Sequence, residues 1–254
     1  LKPSIITLTT DFGTADGYVG AVKGAILSIN PKVRLVDLSN EIPSFDILVG
    51  AFHLGCSFSF FPKGTVHLAV VDPGVGSARR PLLVVTRHHF FVGPDNGLFT
   101  LALRRDPPIG IYELTARRFF RSELSSTFHG RDLFGPVAAH LTRGVEPSKF
   151  GERRKKVKLL SDFAVKKDGK GWTGRILFFD KFGNAFTNLY RSEVRGAPCF
   201  WRGKKVSLYR TYSDIPQGKP GAIFGSSGYL EIALREDSFE KRYGASRGEE
   251  ILLK

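Results

Sequence analysis

The sequence predicts an α/β fold: an N-terminal Rossmann-like parallel-sheet domain followed by a smaller C-terminal antiparallel β-barrel. Three observations lead there. Strand and helix signals alternate through the first 150 residues, and after a basic run at 153–158 the long helical periodicity gives way to short strand-like pieces. The 254 residues, 42% of them hydrophobic, are enough to bury a large core. The order strand, helix, strand, helix, strand is that of a parallel sheet with helices on both faces.

Residues 4–10 (SIITLTT) form a β-branched run that ends in a loop rich in Asp and Gly. Over 18–29 the apolar positions Val19, Val22, Ala25, Ile26 and Ile29 recur at helical spacing, and Asn30-Pro31 stops the helix. Residues 33–38 are the next strand. A long apolar helix over 44–60 opens at Ser44 and closes before Pro62-Lys63-Gly64. The run TVHLAVV (65–71) is almost wholly apolar, as the middle of a parallel sheet requires. Strands at 82–86 and 90–92 and a helix at 131–141 continue the pattern. Beyond the basic run, strand-like pieces at 172–180, 186–189, 205–209, 222–224 and 229–233 are separated by Gly, Pro, Asn and Ser. The expected division is an α/β domain over 1–152, a basic linker over 153–170 and a barrel over 171–254.

Charge and composition exclude several classes. Lys and Arg outnumber Asp and Glu by 38 to 24, a formal +14, of which +4 falls in 1–150 (16 basic, 12 acidic) and +10 in 151–254 (22 basic, 12 acidic). The densest run, RRKKVK (153–158), sits at the domain junction with no RNP-like, helix-turn-helix or zinc-finger pattern, so it reads as a solvated linker. Cys56 and Cys199 form no C-x-x-C pair, which rules out a disulfide scaffold and a Cys-rich zinc site. No apolar run reaches the ~18–20 residues that cross a bilayer, and Leu1-Lys2-Pro3-Ser4 leads straight into a strand rather than a signal peptide. A soluble protein of the reducing cytoplasm is expected, with neither membrane nor nucleic acid as a partner.

Polar clusters at strand ends are candidate sites, because open α/β sheets bind ligands there. The loop after the first strand carries Asp11 and Asp16 and matches neither G-x-G-x-x-G nor a Walker loop. Two carboxylates suit a hydroxyl-rich or cationic ligand; equally, Asp16 can cap a helix and Asp11 can sit in a turn. Asp72 lies at the lip of the most apolar strand, followed by a glycine-rich turn, where it can orient a small nucleophile. Arg79 can fold back to pair with it, or the two can form a screened surface ion pair. His129, beside Gly130 at a helix N-terminus, is placed where neutral imidazole is favoured. Asp180, Phe182 and Asn184 combine a carboxylate, an aromatic ring and an amide, a mixture suited to stacking on a base and bonding its edge, and also to a plain hairpin turn. Ser226 and Ser227 offer hydroxyls and amides in a further loop. Gly93-Pro94-Asp95-Asn96-Gly97 reads as a turn.

The blocks TTDFGTADGYVG (9–20), VVDPGVGSARR (70–80), FVGPDNG (91–97), FHGRDLFGPVAA (128–139), DKFGNAFTN (180–188) and GSSGYLEIA (225–233) together resemble the S-adenosylmethionine hydroxide adenosyltransferase family, in order along nearly the whole chain. That resemblance implies hydrolysis of S-adenosylmethionine to adenosine and methionine, in an enzyme with an α/β domain and a β-barrel. It implies homotrimers whose sites lie between the N-domain of one subunit and the C-domain of the next. By it, Asp72, Arg79 and His129 are catalytic, Asp11 holds the ribose hydroxyls, and Asn184 meets adenine. Asp180 meets the methionine ammonium and Ser226 and Ser227 the rest of the methionine. Asp16 and Tyr18 lie in the matching loop, and Phe182 beside Asn184. S-adenosylmethionine is then the substrate, with no cofactor and no metal. The related halogenases resemble the chain less well: the fluorinase has tyrosines in place of Asp72 and His129, a Ser in place of Gly130, and an N-domain insertion this sequence lacks. Either Asp72 or His129 can take the proton of water. A halide-using adenosyl transferase and a non-catalytic nucleoside or nucleic-acid binding module are the alternatives.

Overall fold

Strand β1 (Ile5–Thr10) runs through the interior of a sheet because IITLTT exposes almost nothing that needs water, every residue after Ile5 being buried. The computed structural model describes residues 4–169, 171–192, 194 and 198–254; the chain's first three residues, assigned above to a lead-in, lie outside it. The chain divides into two units, Leu1–Leu160 and Ser161–Lys254.

In the first unit β1 is followed by α1 (Tyr18–Ile29), β2 (Arg34–Ser39), α2 (Ile47–Ser57), β3 (Val66–Val70), β4 (Pro81–Thr86), β5 (Phe90–Pro94), α3 (Thr100–Arg105), β6 (Pro108–Leu114), α4 (Gly135–Thr142) and β7 (Gly151–Arg153). The sheet order is β2-β1-β3-β5-β4-β6-β7. The first four strands in that order are parallel, as expected. The sheet continues with antiparallel strands: β4 is antiparallel to β5 and β6, and β7 to β6. Only Arg87, His88 and His89 separate β4 from β5, too few residues for the crossover a parallel pair needs.

Helix α1 begins and ends as its periodicity predicts and buries Val19, Val22, Ala25 and Ile26. Together with α4 it covers Ile6 and Leu8 of β1 and Leu68 and Val70 of β3. The helix expected from Ser44 starts later. Asp46 is its N-cap, accepting from the Val49 amide at 3.0 Å, while Phe45 takes a left-handed φ of 67°. The helix expected over 131–141 opens as a π-turn, Gly130–Phe134, before α4. On the other face of the sheet His67 of β3 is fully buried, its Nδ1 2.8 Å from Thr7 Oγ1 and its Nε2 3.4 Å from His89 Nδ1.

The second unit contains β8 (Lys166–Asp168), β9 (Gly171–Phe179), β10 (Ala185–Tyr190), β11 (Cys199–Trp201), β12 (Lys204–Leu208), β13 (Gly221–Phe224), β14 (Tyr229–Ala233), α5 (Phe239–Tyr243) and β15 (Glu250–Leu253). Seven strands close in the order β10-β14-β13-β12-β11-β15-β9, with β9 pairing again with β10 and β8 added outside β9. Closure removes the unpaired edges a small sheet would expose. Every pair is antiparallel except β12 with β13, joined by the long 209–220 connection. Ile176, Leu189, Val206, Ile232 and Phe239 fill the interior.

Residues 153–170, expected as a basic linker, are divided between the units. Arg153 ends β7, the Arg154 amide bonds the Ile111 carbonyl at 2.8 Å, and Leu160 N bonds Thr100 Oγ1 at 2.8 Å. Lys166–Asp168 is a strand of the barrel sheet, and Lys170 lies outside the described residues. Among the described residues no helix is long and apolar enough to cross a membrane.

Candidate active site

The loops after β1 and β3 and the start of the π-turn converge at one end of the parallel strands. There Asp11, Tyr18, Asp72 and His129 line a cavity of about 540 Å³ together with Phe12, Ser44, Phe45, Val70, Val75, Ser125, Thr127, Phe128, Gly130 and Arg131. Arg79 folds back on Asp72 as its spacing allows. The Asp72 and Arg79 side chains are 4% and 10% exposed, with Arg79 Nη2 2.6 Å and Nε 2.8 Å from Asp72 Oδ2. Arg79 Nη2 also reaches His129 Nδ1 at 2.8 Å. The three side chains thus form one chain, Asp72–Arg79–His129, across 57 positions of sequence.

Chemistry fixes the protons in that chain. A guanidinium only donates, so His129 Nδ1 presents its lone pair and the neutral ring carries its proton on Nε2. Burial holds the His129 pKa below its usual value, and the Arg79 charge pushes it the same way against the opposing pull of Asp72 and Asp132. The ring is therefore neutral near pH 7, with Nε2–H as a donor. Asp72 Oδ2 takes both Arg79 donors, while Oδ1 is buried with no hydrogen-bond partner among the described residues. An unpartnered buried carboxylate oxygen is costly and is ready to accept a proton donor such as water.

The walls are built from neighbouring loops. Phe12, Tyr18 and Phe128 pack edge-on or tilted, with centroids 5.4–6.4 Å apart. Gly130 is where Phe12 comes closest: a Cβ there would lie 3.1 Å from Phe12 Cζ. Buried Asp132 accepts from the Ser125 amide at 3.0 Å and from Arg131 at 2.6 and 2.9 Å. Its burial favours protonation, but those bonds outweigh it and hold its pKa below the usual carboxylate value. Asp11 Oδ2 accepts the Phe45 amide at 2.9 Å, holding the left-handed turn at the cavity rim. Asp16 is exposed and neither lines the cavity nor caps α1, whose N-cap is Gly17.

In the barrel, Asp180, Phe182 and Asn184 line a second cavity of about 580 Å³ with Tyr212. Asp180 Oδ1 accepts the Phe182 and Asn184 amides at 2.9 Å each, and Oδ2 accepts Asn184 Nδ2 at 3.1 Å. This carboxylate shapes the turn and aims Asn184. Phe182 remains 64% exposed, an aromatic face open to a ligand. Ser226 lines a separate depression with Tyr190, Arg191 and Phe224, and half-buried Ser227 follows it.

Several residues lining these cavities or bonded to their walls carry no motif in the sequence. The apolar periodicity places Ser44 and Phe45 in a helix, whereas the structure sets both on the cavity wall before it. Glu231, 2% exposed on β14, accepts the Tyr212 hydroxyl at Oε2. Burial, reinforced by the Asp180 charge, raises the Glu231 pKa against the pull of the Tyr212 bond; burial and Glu231 in turn push the Tyr212 phenol up. The signal available was a lone acid inside the apolar run YLEIA. Among the described residues no three His, Cys, Asp or Glu side chains are grouped to hold a metal.

Comparison with known proteins finds relatives along most of the chain. Residues 6–151 match the SAM hydroxide adenosyltransferase N-terminal domain and 174–252 the C-terminal domain of the same name. The (R)-S-adenosyl-L-methionine hydrolase of Thermus thermophilus is 39% identical over 251 residues, covering 96% of this chain and 97% of that protein. A fluorinase from an Actinoplanes species is more distant, 26% identical over 284 residues, with 96% and 95% of the two chains covered. A solved structure of an uncharacterized conserved protein from Thermotoga maritima superposes with a TM-score of 0.88 at 31% identity, over 97% of this chain and 98% of the other.

Proposed function

The chain belongs to the SAM hydroxide adenosyltransferase family, and from that premise we infer that it hydrolyses S-adenosyl-L-methionine to adenosine and L-methionine. The observation that carries the mechanism is the Asp72–Arg79–His129 chain with its free Asp72 Oδ1. We assign Asp72, Arg79 and His129 as the catalytic residues. Water, with a pKa of about 15.7, is a poor nucleophile. Asp72 Oδ1 accepts one of its protons, His129 Nε2–H orients its oxygen, and the Arg79 charge favours the forming hydroxide. Oxygen attacks ribose C5′ as the C5′–S bond breaks, and its electron pair returns to sulfur, leaving neutral methionine thioether. The charges of hydroxide and sulfonium cancel as they meet, so an in-line arrangement in a dry pocket lowers the barrier.

Other side chains hold the substrate in this reading. Asp11, with Oδ1 outside its bond to Phe45, takes the ribose hydroxyls, and Tyr18 and Asp16 belong to the same loop. Phe182 and Asn184 receive adenine. Ser226 and Ser227 bind the methionine carboxylate, and Asp180 Oδ2 faces the ammonium. The relatives' name specifies the (R) sulfonium epimer, and we extend that preference to this chain. Ligand-binding groups sit on both units, which supports a homotrimer in which Asp72 of one subunit acts beside Asn184 of its neighbour. No cofactor takes part in the proposed step. We place the enzyme in the cytoplasm, a reading supported by a sequence with only two cysteines and no C-x-x-C pair.

A halide nucleophile is disfavoured by Asp72. At an effective dielectric of ~20, a unit charge 4 Å away repels an anion by about 4 kcal/mol, an upper bound that the paired Arg79 reduces. Reaction of each sulfonium epimer in ¹⁸O-labelled water, with and without chloride, tests the whole reading. Label in the 5′-hydroxyl with inversion at C5′ is expected; unlabelled adenosine, retention, or 5′-chloro-5′-deoxyadenosine as the main product would overturn it.

A further inference from the structure

The segment Gly93-Pro94-Asp95-Asn96-Gly97, expected as a plain turn, lies directly behind the catalytic chain. The last rung of β3 with β1 is Val70 opposite Thr10, and its rungs with β5 end at Leu68 opposite Val92. The Val71 carbonyl, immediately before Asp72, is therefore past both ladders, on a residue that is fully buried. A buried carbonyl needs a donor, and Asn96 Nδ2 supplies it at 2.8 Å. The other end of the same amide is fixed too, since Asn96 Oδ1 accepts Leu98 N at 3.2 Å. Gly93 makes this approach possible, because a Cβ there would stand 2.1 Å from the Ala69 carbonyl oxygen.

The neighbouring Asp95 holds the far end of the catalytic loop. Its side chain is 5% exposed and accepts from both Nε and Nη2 of Arg80, while its own amide donates to the Arg80 carbonyl at 2.9 Å. Arg80 follows Arg79 in sequence, so its main chain and side chain are both anchored next to the guanidinium that joins Asp72 to His129. Asp95 Oδ1 further accepts the Lys158 amide at 2.7 Å, and Arg80 Nη2 donates to the Lys156 carbonyl at 3.3 Å. The basic segment is thereby bonded to the back of the same loop.

We propose that Asn96 and Asp95 are positioning residues for catalysis: Asn96 fixes the strand end that carries Asp72, Asp95 fixes the stem of Arg79, and one dipeptide so sets the spacing of the catalytic pair. The proposal rests on the assignment of Asp72 and Arg79 made above. Neither residue is among those lining the cavity, so each acts through the groups it holds. In-line displacement is sensitive to sub-ångström placement, and a shift near 1 Å can cost ~10²-fold in rate.

The test is steady-state hydrolysis of S-adenosylmethionine by N96D, N96A and D95N, with D72A as the control for the underlying assignment. Adenosine affinity by calorimetry and the melting temperature are measured on each protein. N96D places a carboxylate oxygen against the Val71 carbonyl. Its kcat should fall about 10- to 100-fold, with KM and adenosine affinity within about threefold of wild type. N96A and D95N should show the same split to a smaller degree, and they carry the comparison if N96D does not fold. The proposal is overturned if kcat of the folded Asn96 variants stays within about twofold of wild type. It is equally overturned if kcat, adenosine affinity and melting temperature decline together, since a merely structural role does that. Full activity in D72A would instead remove the assignment on which the proposal stands.

Discussion

Replacing His67 by Gln should flatten the acid side of the protein's stability profile. The ring lies among Phe58, Phe61 and Phe91, at centroid distances of 6.0, 5.8 and 5.1 Å, and among the described residues its ring nitrogens meet Thr7 and His89 rather than a carboxylate. Burial, with His89 adding to it, lowers its pKa from 6.5 to about 3. The unfolded chain binds this proton below pH 6.5 and the folded chain does not until about pH 3. Stability contributed by the neutral ring is thus complete above pH 6.5 and is lost as the pH falls towards 3. One pKa unit corresponds to about 1.4 kcal/mol, so the cost is about 2 kcal/mol at pH 5 and approaches 5 kcal/mol across the window. Gln retains a hydrogen-bonding partner for Thr7 Oγ1 but does not titrate. Urea unfolding at pH 7.5 and pH 5 should show wild type losing about 2 kcal/mol more than H67Q over that interval. Equal losses in the two proteins would refute the reasoning, because they would place the acid sensitivity elsewhere, for instance in His89, whose pKa burial also lowers.

Three further outcomes concern the reaction. R79A and H129A should each reduce turnover by ~10²- to 10⁴-fold while adenosine binding, read by calorimetry, stays near wild type; wild-type turnover in both would remove them from the mechanism. Mixing D72A with N184A should recover activity absent from either alone if sites form between subunits, and no recovery despite demonstrated subunit exchange would place each site within one chain. G130S should lower turnover without yielding chlorinated adenosine in chloride buffer, because the new Cβ crowds Phe12 at 3.1 Å while Asp72 still repels the anion; a 5′-chloro product would contradict this.

Much of this protein could be read in one dimension. The strand at 65–71 and the helix at 18–29 are local statements, made by residues within a few positions of each other, and β3 and α1 form where periodicity places them. Asp11 and Asp72 are candidates because each follows the end of a strand, and His129 because it precedes the start of a helix; the fold brings all three to one cavity. The tertiary structure decided what no local window contains. That β6 lies beside β4, antiparallel to it, and not beside β5 is a pairing between strands more than twenty residues apart. The barrel closes through Cys199–Trp201 and Glu250–Leu253, pieces too short to announce themselves. The tautomer of His129 follows from an Arg79 nitrogen 2.8 Å away and 50 positions earlier, and Asn96 reaches a carbonyl 25 positions back. Such bonds are set by packing between distant segments. Sequence patterns record which side chains avoid water, whereas the direction of a hydrogen bond depends on where two remote stretches of backbone come to rest against each other.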